Sequence, residues 1–166
     1  MDRHELILVR IEEALNELKA LNVTPIVGGG VFVESVYRNR APLRDYARPA
    51  LYLFDGPEDI GSPVGGYTTQ RSTFSRPAFM VMHPQVFAVL NQRIPDKSDE
   101  YGPLLSQYRI ALIKTLLEDS ELISLVTSNG QIAYQGYDTD MKTLSSMEGQ
   151  LQMLFAFTYP LITSEL

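Results

Sequence analysis

The sequence contains no cysteine, which removes disulfides, thiolate zinc sites, iron–sulfur clusters and cysteine nucleophiles together and leaves the redox compartment open. Histidine is almost as scarce. His4 and His83 are the two present, and neither has a sequence partner at metal-ligand spacing, so both read as solvated or packed side chains. Long apolar runs are missing too: the longest, such as Ala50 to Phe54 and Met153 to Phe157, reach five residues, against about 20 for a bilayer-crossing helix. No membrane span is expected. Leu6 to Val9 is followed by Arg10, Glu12 and Glu13, which is not the apolar core of a secretory signal; the expectation is a chain made and used in the cytosol. Positive charge is also in deficit. With 14 Lys and Arg against 20 Asp and Glu the net charge is −6, which disfavours general attraction to nucleic acid or anionic lipid.

What is present is the composition of a globular protein. Hydrophobic residues make up 45% and charged residues 20%, with 11 Gly and 10 Pro, which excludes disordered, collagenous and low-complexity classes. A length of 166 residues suits a single domain over 1–166 that buries roughly 70% of its unfolded surface. The charge is unevenly spread: residues 1–30 carry 3 − 5 = −2, residues 31–95 carry 7 − 5 = +2, and residues 96–166 carry 4 − 10 = −6. Six of the ten arginines fall between Arg38 and Arg76, and arginine suits forked contacts with carboxylates at protein interfaces better than lysine does.

Periodicity predicts a helix over 2–21, with Ile7, Ile11, Ala14, Leu15, Leu18 and Leu21 on one stripe, Asp2 and Glu5 at capping-box spacing, and Asn22 and Pro25 as a stop. Gly28 to Gly30 form a turn before a strand over Val31 to Arg38, and an Arg-rich loop over 39–48 leads to a strand over Ala50 to Asp55. Gly56 and Pro57 end it, a long polar connection follows, and Tyr67 to Phe74 reads as an exposed strand. Ala78 to Met82 and Val86 to Leu90 are apolar stretches interrupted by His83 and Pro84, which suggests an edge position or a bulge. A charged loop over 91–102 precedes a helix that Pro103 opens and that runs to about Leu117, with Leu105, Tyr108, Leu112 and Leu116 on one face. A short helical turn over Ser120 to Val126, the Asn129-Gly130 turn, a strand from Gln131 to about Tyr137 and a last strand alternating through Leu151, Met153, Phe155, Phe157 and Tyr159 complete the chain.

Helices on both sides of a strand series, without regular strand–helix alternation, predict an α+β fold with a mainly antiparallel sheet packed against two main helices. Ala50 to Phe54 and Ala78 to Met82 are apolar on both faces. Two helices cover one face of such a sheet, so the other needs cover from elsewhere in the chain or from a neighbour, and self-association is the economical answer.

Chemistry-bearing motifs are few. Gly28 to Gly30 precede a strand, whereas a dinucleotide fingerprint follows one, and neither a GxxxxGK loop nor a GxSxG elbow occurs. Asp138 and Asp140 begin like a calcium loop, but Thr143 stands where its glycine belongs and Gly149 where its bidentate glutamate belongs. Asp96, Asp99 and Glu100 read as a solvated loop with at most loose cation affinity. Tyr37, Tyr46, Tyr52 and Tyr67 interleave with arginines as in single-strand nucleic-acid binders and in protein interfaces; the net negative charge favours the interface. No cofactor or metal site and no catalytic group are expected. A binding or structural subunit is the better class, with Arg38, Arg40, Arg44, Arg48, Glu58, Asp59, Asp96, Asp99 and Glu100 as candidate interface residues.

The order of segments resembles the tail-terminator proteins of long-tailed bacteriophages. The likeness rests on the amphipathic first helix, on Arg48-Pro49-Ala50-Leu51-Tyr52-Leu53, and on Met82-His83-Pro84-Gln85-Val86 before an aliphatic strand. In the last third it rests on Asp119 after a helix, on Asn129-Gly130-Gln131-Ile132-Ala133-Tyr134-Gln135-Gly136, and on Met147-Glu148-Gly149-Gln150 opening a strand that ends Phe155-Ala156-Phe157-Thr158-Tyr159. The resemblance covers nearly the whole chain and is a pattern of elements rather than a catalytic signature. It implies a non-enzymatic virion protein, assembled in the host cytoplasm, that forms a homo-oligomeric ring, expected to be a hexamer, on the head-proximal end of the tail tube. Its implied partners are the tail tube protein and the neck or head-completion protein, while genome DNA passes through the ring without specific binding. A head-completion or stopper protein of the neck is the alternative, and a non-phage oligomeric adaptor or enzyme subunit the second.

Overall fold

The computed structural model describes residues 2–21, 31–40, 49–61, 79–90, 98–126, 130–139 and 149–161, the side chains of 98–102 excepted. The stripe of Ile7, Leu8, Ile11, Ala14, Leu15 and Leu18 is the buried face of helix α1, Arg3–Ala20. Asp2 caps it, its side chain accepting the Glu5 N–H at 2.8 Å. The other half of a capping box is absent because the Glu5 carboxylate binds Arg38 instead.

Helix α2 spans Ser98–Leu117 and helix α3 Ser120–Val126. The expected start of α2 at Pro103 is corrected: the helix opens five residues earlier, and Pro103 lies inside it. Its missing N–H falls just beyond the first turn, so one intrahelical bond is lost near an end, where its loss is least disruptive. Leu105, Tyr108, Leu112 and Leu116 form the buried face, as the spacing predicts.

Among the described residues seven strands form one sheet: β1 Ser35–Arg38, β2 Ala50–Phe54, β3 Glu58–Gly61, β4 Phe79–Met82, β5 Gln85–Val89, β6 Gln131–Thr139 and β7 Gln150–Pro160. Among the described pairings only β1 with β2 is parallel; the others are antiparallel. The fold is therefore α+β, with a mixed sheet and three helices among the described residues. The expected strand from Val31 begins four residues later, at Ser35, and the expected strand over 67–74 lies outside the described residues.

Several strands are consecutive parts of longer ribbons. Met82 pairs with Phe157 and Gln85 with Leu154, three residues on each side, so β4 and β5 run along β7 in one unbroken register. On the outer side Phe54 pairs with Gln85 and Glu58 with Met82, four residues against three. That extra residue is a bulge between β2 and β3, turned by Gly56 at φ 71°. A Cβ there would overlap the His83 carbonyl oxygen, so only glycine fits. The His83 N–H donates to the Pro57 carbonyl at 2.9 Å, and the Pro84 carbonyl accepts from Phe155 at 3.2 Å. Pro84 thus occupies an interior ribbon, not an edge, and its missing donor sits opposite the neighbouring bulge. β3, short and polar, was expected to be loop.

The main core lies between one face of this sheet and the helices, where Leu51, Leu53, Val86, Ala88, Met153, Phe155 and Phe157 meet the stripes of α1, α2 and α3. The opposite face carries a second cluster: Ala50, Tyr52 and Val89, with Tyr37, Phe54 and Phe87 against them. Tyr52 is fully buried within a single chain. Around Tyr52, therefore, the second face is covered by the chain's own atoms and needs no neighbour, whereas Leu154, Gln85 and Gln152 on that face stay partly exposed.

Candidate functional site

β1 ends at Arg38, whose register against Leu53 points it to the helix side of the sheet. There its guanidinium makes four hydrogen bonds: two to Glu5 of α1 at 2.7 and 2.8 Å, and two to Asp55 at 3.0 and 3.2 Å. The forked geometry matches both carboxylates at once. The Arg38 hydrogen bonds hold the Glu5 carboxyl below its ordinary value; for Asp55, burial pushes up but Arg38 and Asn39 outweigh it and the carboxyl is lowered. Asn39 follows at φ 51° and exchanges hydrogen bonds with Asp55, closing the end of the strand. Arg38 is thus an internal brace joining α1, β1 and the exit of β2.

Arg40 is different. It is exposed, with its guanidinium 5.8 Å from the ring centroid of Tyr37, which stacks on Tyr52 at 5.4 Å. The stack presents a cation at the rim of the second sheet face. Arg44 and Arg48 lie outside the described residues, as does Asp96; Asp99 and Glu100 fall in the first turn of α2, with side chains outside the description.

Glu58 and Asp59 begin β3 and are exposed. Glu58 accepts a hydrogen bond from the Tyr159 hydroxyl, and Asp59 lies 3.9 Å from the His83 ring. Burial, followed by the Glu58 contact, raises the Tyr159 phenol well above its ordinary value. Ile60 follows Glu58 and Asp59, 86% exposed, an apolar side chain on an acidic strand. The structure thus places Arg40 and the Glu58–Ile60 strip on the surface and turns Arg38 inward.

The largest cluster of charges among the described residues was not foreseen. Arg10, with a side chain only 12% exposed, reaches Asp119 at 2.6 Å, Glu17 at 2.8 Å, Glu13 at 3.4 Å and Glu121 at 3.6 Å. The hydrogen bond to Asp119, then that to Glu17, raises the Arg10 guanidinium further above its ordinary value. Burial pushes the Asp119 carboxyl up, but Arg10 and the Leu122 N–H together bring it down. Asp119 also caps α3, accepting the Leu122 N–H at 2.8 Å. Glu13 and Glu17 follow Arg10 on α1 at spacings that hint at pairing, but Asp119 is too distant in sequence for any local signal.

Beside this cluster an open groove of about 400 Å³ separates the C-terminal ends of α1 and α2, lined by Ala14, Leu18 and Leu21 on one side and by Lys114, Thr115 and Glu118 on the other, with Glu17 and Asp119 at its rim. Among the described residues no three His, Asp or Glu side chains gather as metal ligands, and no helix is long and apolar enough to cross a membrane. Compared with known proteins, the chain matches no family model and no curated sequence.

Proposed function

We propose that this chain is a tail terminator of a long-tailed bacteriophage: a structural virion subunit, not an enzyme, whose ring caps the head-proximal end of the tail tube. The observation that carries the reading is where the resembling phrases fall. Ala50-Leu51-Tyr52-Leu53 is β2, Met82-His83-Pro84-Gln85-Val86 is the joint between β4 and β5 that packs on the Gly56 bulge, and Gly149 to Tyr159 opens and fills β7, to which three other strands pair. The phrases that carry the likeness build the sheet rather than decorate its surface, which supports a shared architecture.

In this reading a closed ring forms through a heterologous contact, in which one patch of each subunit meets a different patch on the next. Six copies are the expected number, and the ring leaves a passage for the genome that an acidic chain would keep free of phosphate binding. The ring's two faces meet the tail tube protein and the neck or head-completion protein. Arg40, and the Glu58 to Ile60 strip, supply exposed side chains of the kind such contacts use.

Deleting the gene from the phage that encodes it tests the proposal. Overlong tails support a terminator. Tails of normal length that fail to join heads would identify a neck protein instead.

A further inference from the structure

We propose that His83, Asp59 and Gln135 form a proton-operated latch on the second face of the sheet, which ties β3 to β6 when the His83 ring is charged and slackens when it is neutral. The proposal is independent of the ring described above, because it concerns contacts within one chain.

Strand alternation puts the three side chains on one face. Met82 and Val86 are buried in the main core, so His83, one residue after Met82 in the unbroken register along β7, turns to the other side. Asp59 pairs with Val81, the neighbour of Met82, and lies on that side too. Gln135 falls at the register shift of β6, between Tyr134, which packs on the main core, and Gly136. The His83 Nδ1 is 3.3 Å from Gln135 Oε1, and its Nε2 is 3.9 Å from Asp59 Oδ2. β3, β4, β7 and β6 are successive neighbours, so the three side chains link the sheet across three strand spacings, roughly 14 Å. The contact with Gln135 crosses β7 at the level of Ala156, whose methyl group leaves room for it.

The protonation state of the ring decides how many of these contacts it makes. Its backbone is fixed, since the His83 N–H donates to the Pro57 carbonyl at 2.9 Å and Gly56 backs directly onto the His83 carbonyl. A neutral ring carries one N–H. It either donates to Gln135 and turns a lone pair on the Asp59 carboxylate, or donates towards Asp59 and faces Gln135 with a lone pair, which requires the amide to turn over. The charged ring donates in both directions at once. Strands β2 to β7 and the joint between β4 and β5 contain no lysine or arginine, so His83 is the one side chain there able to carry a positive charge. Among the described residues, Asp59 is the charged group that faces it. β4, β5, β6 and β7 meet it with uncharged side chains, Val81, Gln85, Gln135 and Ala156 among them; Asp138 lies farther along β6, opposite Gln152, and Glu58 turns to Tyr159 on the core side.

Two measurements on the full chain test the latch. His83→Gln removes the titrating ring and Asp59→Asn the carboxylate, and neither position is buried. In urea denaturation, a double-mutant cycle of the two should show a coupling of about threefold in the unfolding equilibrium constant at about pH 5.5, where an ordinary histidine is charged, and none at about pH 8.5. The contact thus adds stability at low pH that is lost as pH rises through the histidine range. In nuclear magnetic resonance spectra of the wild type, the Gln135 side-chain amide signals should move together with the His83 ring signals during a pH titration, with the His4 ring as the reference, and should stay still over that range in His83→Gln. A coupling that is equal at both pH values, or Gln135 signals that do not follow the His83 ring, overturns the proposal.

Discussion

Arg10 and Asp119, 109 residues apart in sequence, meet through two guanidinium nitrogens, the shorter contact 2.6 Å long, and both side chains are nearly buried, at 12% and 10% exposure. The pair fixes α1 to the first turn of α3, since the same carboxylate caps that helix. Removing one member of such a pair leaves an unmatched charge, so Asp119→Ala should lower unfolding free energy by about 3 kcal/mol. Asp119→Ser, which restores a cap without the charge, should lose less. Urea denaturation of the three proteins measures both; equal losses would assign the effect to the ion pair alone, and no loss in Asp119→Ser to the cap alone.

Glu5, Asp55 and Asp119 are all held below their ordinary values by arginine partners in the folded chain. Each binds protons more readily when unfolded. The stability they contribute is therefore complete above the unfolded carboxylate values, near pH 4, and disappears as pH falls through the folded ones. Denaturation midpoints should drop as pH is lowered from about 4.5 towards 2, and the drop should be shallower in Asp119→Asn, which starts lower at neutral pH. Parallel curves would remove Asp119 from the account.

Glycine positions separate a steric demand from a conformational one. A Cβ at Gly56 would overlap the His83 carbonyl as well as occupy φ 71°, whereas one at Gly136, at φ 127°, would meet nothing. Gly136→Ala should destabilise by about 1–2 kcal/mol from backbone strain, and Gly56→Ala by more, because the β4–β5 joint must move. Thermal melts of both variants check the order.

The register of β7 sets another contrast. Phe155 is fully buried, while Gln152, on the opposite face, is partly exposed and donates to Gln85 at 3.0 Å. Phe155→Ala should cost about 3–5 kcal/mol and Gln152→Ala about 1 or less. Equal melting temperatures would mean that the strand's inward face has been misassigned.

These contrasts show what was legible in the residues. Strong periodicity placed α1, the buried face of α2 and the inward side of β7, because each buries a stripe that repeats within the element itself. β3 was not legible: Glu58, Asp59 and Ile60 have no strand pattern, and their extended form comes from pairing with β4 across the bulge. The early start of α2 was hidden by Pro103, a residue that usually marks a first turn. Arg38 was read as an outward contact from its place in a basic run, and the register against Leu53 turned it inward. The groove was invisible for the same reason as the Arg10 cluster: α1 and α2 come together only in the fold.

The length distribution of tail tubes assembled in a titration of this protein tests the central claim most directly. A capping ring needs no nucleotide or metal and acts stoichiometrically, so tube growth should stop at about one ring per tube, with shorter tubes as protein is added earlier. Arrest at far below one ring per tube, which only a catalyst could produce, or tubes that lengthen unchanged at any ratio, would contradict it.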